Sequence, residues 1–386
     1  MMGKSENYVR ASLALSMIPS VGGGRIRRLF DHFEDPLAVF SADWSELAGV
    51  ATIGATVAKS IRDFSSWGDV DRVLIMTEKH GMVLLTPFDH CYPARLLHIY
   101  DPPAVLWVRG DPEVLKMDFL AVVGTRRPSS EGREVTVRLT RQLIQRVQAG
   151  IVSGLAHGVD ALAHGEALKN NRCTVAVMAC GLDRVYPTGN RSLAFRIVDS
   201  GGALISEYPP GTRPEAHHFP IRNRIVSGMS LGVLVSETGI KGGSMITVGA
   251  ALDQGREVFV VPHSVSNERG EGCNRVIQRG WGKLVCNVED IVAELPPALH
   301  LRSGRDEHPQ LRNGNPGGVN QRLQRADADP QETMILRLLS EKERHIDEIA
   351  RISGIATHVL LAVLLRLELD GIIVQRPGKK FGIVAW

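Results

Sequence analysis

Four short strings in this 386-residue chain carry side chains suited to gripping an anion. Gly124-Thr125-Arg126-Arg127 follows the apolar run Phe119–Val123. Glycine there lets the backbone approach a phosphate, threonine offers a hydroxyl, and arginine forks onto two oxygens. Lys241-Gly242-Gly243-Ser244 precedes the apolar stretch Met245–Leu252. A lysine, two glycines and a hydroxyl at a helix start make a cradle for one phosphate. Ser153-Gly154 opens a third turn of this kind, after Ile151-Val152. Arg222-Asn223-Arg224 lies at an expected helix start within Phe219–Gly228. Residues two apart on a helix do not face the same way, which leaves one arginine for a ligand and the other for an internal partner, without saying which.

Other chemistries find less support. Neither GxxxxGK[ST] nor GxGxxG occurs, which disfavours an ATPase or an ordinary dinucleotide enzyme. His157, Asp160 and His164 share a helix face by spacing, but a metal would want a further ligand and a hydrated pocket. They read instead as a helix-capping aspartate and two histidines bonded within the fold. His217-His218 reads as a loop pair. No metal, cofactor or catalytic residue is expected.

These strings need elements to position them. Short apolar runs at 119–123, 150–152, 174–178, 203–206, 231–235 and 257–261 alternate with helix-like segments, and 82–85 and 104–108 add two strands. That alternation predicts an α/β fold with a parallel doubly wound sheet, whose turns gather along the carboxyl edge of the strands. Val135, Leu139, Leu143, Ile144 and Val147 line one face of a predicted crossover helix. Residues 1–75 read as a small helical module, SAM- or helix-hairpin-helix-like. Its hairpins are Ile18–Gly24 with Arg25–Phe30, and Leu47–Gly54 with Ala55–Ile61. Such turns suit DNA phosphate, or equally a packing module with tight glycine turns. The central domain spans 76–298. Residues 299–330, with breakers such as Pro309, Pro316 and Gly317, read as a flexible linker. The last unit, 331–386, reads as a winged helix with helices near 332–339, 345–352 and 356–369 and a hairpin over 371–384. Its third helix, Val359–Leu369, has almost no side chain able to read a base edge, which points to docking or structure before DNA reading.

Composition is that of a soluble globular protein, 44% hydrophobic and 23% charged. The net charge of +3 is unevenly spread: residues 119–290 hold 20 Lys and Arg against 15 Asp and Glu, whereas residues 1–75 hold 8 against 9. The excess coincides with the phosphate-type turns and favours a bound polyanion. No membrane span or signal peptide is evident. Five cysteines without a CxxC pair read as reduced thiols of a cytoplasmic protein.

Taken together, Val123–Arg126, Ser153–Ala156 with Gly158-Val159-Asp160 and Ala163-His164, Tyr186-Pro187 with Asn190, Phe219–Ile225, Gly243–Thr247 and Gly255–Pro262 resemble the DNA-processing protein A family (DprA, also called Smf). The resemblance implies an extended Rossmann-like domain that binds single-stranded DNA and dimerises. It further implies a protein that protects incoming DNA and loads the RecA recombinase during natural transformation. It places Arg126 and Lys241–Ser244 at the pocket, with Asn190, Arg222 and Arg224 behind them. The chain departs from the family pattern at His157, often arginine; at Ser236-Glu237-Thr238, usually Val-Glu-Ala; and at His263, usually glycine. Phe219 is a candidate base stacker or, equally, a core residue. The alternative is a nucleotide-binding enzyme resembling the lonely-guy phosphoribohydrolases, but Thr247 stands where their catalytic glutamate would be, and glycosidic cleavage needs a carboxylate.

Overall fold

The computed structural model describes residues 2–33, 35–301, 330–369, 373–376 and 380–383. Residues 302–329 of the expected 299–330 linker and the tip of the expected terminal hairpin lie outside them. The chain forms two compact units, divided after Asp306.

The first unit opens with helices α1 (Met2–Ser16), α2 (Gly23–His32), α3 (Trp44–Gly49), α4 (Ala55–Arg62) and α5 (Trp67–Lys79). The two expected hairpins are α1–α2 and α3–α4. Arg25 donates to Ser20 O and Thr52 O, and Arg28 to Thr52 Oγ1, so these arginines tie one hairpin to the other. Helix α5 crosses the expected boundary at residue 75. Leu13, Ala14 and Val70 share one apolar cluster with Trp107 and Leu204 of the sheet.

Nine strands then form one sheet: β1 (Val83–Leu85), β2 (Leu106–Gly110), β3 (Phe119–Val123), β4 (Gly150–Ser153), β5 (Thr174–Val177), β6 (Ala203–Ser206), β7 (Ser230–Val235), β8 (Glu257–Val260) and β9 (Lys283–Leu284). Their order is β1-β2-β6-β5-β4-β3-β7-β8-β9. From β6 to β9 all pairings are parallel, but β1 with β2 and β2 with β6 are antiparallel. The core of the sheet is therefore parallel, as expected, and the two added strands β1 and β2 form an antiparallel edge on it. Only short 3-10 turns, Ala94–His98 and Pro112–Lys116, separate β1 from β2 and β2 from β3, with no α-helix to make a parallel crossover. The two-residue β9 gives no periodic signal and was not expected.

Every residue of β3 is buried, and its side chains alternate between two clusters: Phe119, Ala121 and Val123 on one face, Leu120 and Val122 on the other. That is how a strand reads when helices cover both faces. Helices α6 (Ser130–Arg146), α7 (Val159–Lys169) and α12 (Glu289–Val292) supply one layer. Helices α9 (His218–Gly228), α10 (Gly243–Asp253) and α11 (Glu271–Gln278) supply the other. Helix α8 (Arg191–Asp199) packs Ala194 and Ile197 towards the β6 edge. The chain winds from β3 outward to β6, then returns to lay β7 beside β3. The turns after β3, β4 and β7 consequently meet at one topological switch point, where open α/β sheets bind ligands.

The second unit has helices α13 (Pro330–Glu341), α14 (Ile346–Ser353) and α15 (Thr357–Leu369) beside a three-stranded antiparallel sheet, order β10-β12-β11: β10 (Arg344–His345), β11 (Ile373–Arg376), β12 (Lys380–Ile383). This is a winged helix. Leu360, Leu364 and Leu367 of α15 are buried with Ile335, Ile349 and Phe381.

Candidate functional site

The turn after β3 is fixed from β7. Thr125 N donates to Glu237 O at 2.7 Å. The fully buried Glu237 carboxylate accepts from Ser129 N and Ser129 Oγ, both at 2.7 Å, and from Asn267 Nδ2 at 3.2 Å. Ser129 in turn caps α6 by accepting from Gly132 N at 2.9 Å. A protein carboxylate thus occupies the positive end of α6, where a free anion was expected to sit. The start of α10 is different: Gly242 caps it without any side-chain hydrogen bond. Ser244 Oγ donates to Thr238 Oγ1 at 2.6 Å, which holds the cradle shut against β7's turn.

The turn after β4 is clamped from both sides. Asp160 Oδ2 accepts from Gly154 N at 3.1 Å and Ala156 N at 3.2 Å. Arg222, only 4% exposed, donates to Gly154 O at 2.7 Å and to Val177 O. A side chain at Gly154 would displace the Arg222 guanidinium from its two carbonyl partners. Gly158 has φ +78° and abuts the carbonyls of Thr125 and Arg126, joining the second turn to the first. Leu155 also stands in the left-handed region at φ +57°, a conformation a branched side chain resists. Asn190 Nδ2 holds its carbonyl at 2.8 Å. Burial pushes the Asp160 carboxyl up, opposed by the Arg222 charge and the two backbone donors. Burial, and then the Arg222 charge, pull His164 down to about 3.

A cavity of about 610 Å³ opens over these turns. Of the expected site residues it gathers Gly124, Thr125, Arg126, Gly154, Arg222, Asn223, Gly242, Gly243 and Ser244. It leaves out Arg127 and Lys241, which are exposed outside it, and Ser153, whose buried Oγ donates to Val122 O at 2.7 Å. Asn190 supports from behind. Arg224 is bound to Glu207 at 2.6 Å and Asp101 at 3.5 Å, away from the cavity. Both arginines of the 222–224 string therefore have internal partners, a division its spacing did not reveal. Arg126 does not: it has no carboxylate partner among the described residues and lies over the Phe219 ring, 5.4 Å from its centroid. Tyr186, 40% exposed, stands 5.6 Å from Phe219 and lines the same cavity. Tyr186 and Glu237 have site roles the sequence did not reveal, and Asp160, expected to cap a helix, instead accepts from the preceding turn at Gly154 N and Ala156 N. An aromatic next to proline and a carboxylate just after a buried strand were the available signals.

The cavity thus offers one open guanidinium, two accessible rings and an uncapped helix start. The carboxylate that lines it, Asp160, is spent on the backbone donors of Gly154 and Ala156. His164 Nδ1 lies 2.7 Å from Thr174 Oγ1. Among the described residues the groups close enough to share an ion are His90–Cys91–Glu113 and Glu215–His217–His218, not His157, Asp160 and His164. The second of these includes the pair read as a loop.

Residues 83–296 match the model of DNA recombination-mediator protein A, and residues 321–379 that of the DprA winged helix domain. Protein Smf of Synechocystis is 31% identical over 96% of this chain and 97% of its own length. DNA processing protein DprA of Bacillus subtilis is 42% identical over 58% of this chain and 75% of its own. The crystal structure of DprA from Streptococcus pneumoniae superposes with a TM-score of 0.62 at 33% identity, covering 75% of this chain and 98% of that one. A DprA structure from Helicobacter pylori, described by its single-stranded DNA binding mode, gives 0.51 at 30% identity over 57% and 97%.

Proposed function

This chain belongs to the DNA recombination-mediator protein A family, and we propose that it binds single-stranded DNA across the turn edge of its sheet without chemically altering it. The observation that carries the reading is Arg126: a guanidinium over an aromatic ring, without a carboxylate partner among the described residues, at a cavity that also includes an uncapped helix start. A guanidinium and helix N–H groups bind phosphate; Phe219 and Tyr186 offer faces to bases of any sequence. The solved relative described by its single-stranded DNA binding supports the same assignment. Further along the same reading, the protein is a cytoplasmic homodimer that shields incoming DNA and helps load the RecA recombinase during transformation. Among the described residues no helix is long and apolar enough to cross a membrane.

An enzyme acting on nucleotides is the competing reading, and Thr247 at the cavity wall counts against it because, among the described lining residues, the carboxylate is Asp160, already bound to Gly154 N and Ala156 N. Titration with oligothymidylate at two salt concentrations tests the proposal. Binding that weakens with salt and tolerates sequence is expected. Failure to bind, or release of free base from a nucleotide incubated with the protein, overturns it.

A further inference from the structure

Helix α8 begins five residues after Tyr186, which lines the cavity. Asn190, which holds the Leu155 carbonyl, is followed at once by Arg191, the first residue of α8. One turn on, about 6 Å along the axis, Phe195 projects with 37% of its surface exposed. Two guanidinium groups lie over that ring, Arg191 from the same helix and Arg109 from β2, each 5.5 Å from the centroid. Neither has a carboxylate partner among the described residues, whereas neighbouring Arg184 is paired with Asp183 at 2.9 Å. Inside the cavity the same composition recurs: Arg126 over Phe219, with Tyr186 beside it.

We infer that Phe195, flanked by Arg109 and Arg191, is a second stacking platform, on which the bound strand continues after it leaves the cavity past Tyr186. The chemistry recognised is a nucleobase with its adjoining phosphates. The ring gives a sequence-tolerant face, and the two unpaired arginines supply charge to the backbone on either side. This inference rests on the single-strand reading above but assigns a different surface. Loss of binding in the cavity and loss of binding on α8 separate by the length of the strand.

The experiment uses the full chain and two oligothymidylates, of about 5 and about 30 nucleotides, the shorter being enough for the cavity alone. Phe195→Ala should weaken the long strand about five- to tenfold, within the range of one lost base stack, and leave the short one unchanged. Phe195→Trp should restore long-strand affinity. Arg109→Gln and Arg191→Gln should each lower the salt slope for the long strand only, by about 0.7. Equal affinities of wild type and Phe195→Ala for the long strand overturn the platform while leaving the cavity assignment standing. Equal weakening on both lengths also overturns it, since the ring would then act through the cavity or the fold. A wild-type protein that binds neither strand removes the reading on which both depend.

Discussion

Arg126 and Arg222 line the same cavity and do opposite work. Arg126 is exposed and has no anionic partner among the described residues. Arg222 is almost wholly buried, and its guanidinium is committed to the carbonyls of Gly154 and Val177 beside Asp160. An arginine at a ligand cavity can hold the ligand or hold the loop that holds the ligand. Burial and the identity of the partners decide which, because a charge kept from water must be satisfied by the protein itself.

The largest effect should come from Arg222→Ala. Removing it leaves the buried carbonyls of Gly154 and Val177 without their donor, at about 1–3 kcal/mol each. It also takes a positive charge from beside Asp160 and frees the turn that carries Leu155. The urea midpoint should fall accordingly, with binding lost alongside. An unchanged midpoint with lost binding would make Arg222 a ligand contact and dissolve the contrast.

Next comes a pH effect on the same buried arm. His164 is held near 3 in the fold but titrates near its ordinary 6.5 when unfolded. A depressed folded value means stability is complete above the unfolded pKa and is lost as pH falls towards the folded one. Between about 6.5 and 3 the slope approaches 1.4 kcal/mol per pH unit. Chemical denaturation of wild type and His164→Gln across that window should show the slope reduced in the variant. Asp160, pushed up by burial, titrates in both proteins and drops out of the difference. Identical slopes would mean His164 is not shut away from protons.

Arg126→Ala sharpens the other arm. Loss of a charge-assisted contact should weaken oligothymidylate binding about tenfold to a hundredfold and flatten the salt slope by about 0.7. The melting temperature should hold, because no partner is left unsatisfied. Intact affinity in this variant would remove Arg126 from the site.

The smallest change is expected at Lys241. It lies outside the cavity lining, so Lys241→Ala should shift affinity by less than about threefold, as a distant exposed charge does. Lys241→Glu should be somewhat worse, since it turns attraction into repulsion. A tenfold loss on Lys241→Ala would place this lysine on the strand after all.

Much of this was legible in the residues. Fully apolar runs such as Phe119–Val123 announce strands covered on both faces, and the glycine-rich strings that follow them announce turns. Parallel winding then brings the turns to one edge without any knowledge of particular contacts. That logic puts Arg126 on the turn edge, where the cavity lies. The antiparallel β1–β2 edge escaped it, because an apolar run looks the same in either direction.

The sheet, its turn edge and the groups carried there follow from local pattern. How those groups are shared out between ligand and fold follows from packing. Glu237 is 108 residues from Ser129 in the chain, yet it fills the start of α6 and leaves α10 open. Arg222 reaches Gly154 across 68 residues, while Arg224 turns away to Glu207. Local pattern fixes which groups a turn carries, because strand and helix formation depend on near neighbours. Which groups remain unpaired depends on what packs against them, and that is settled by residues far away in sequence.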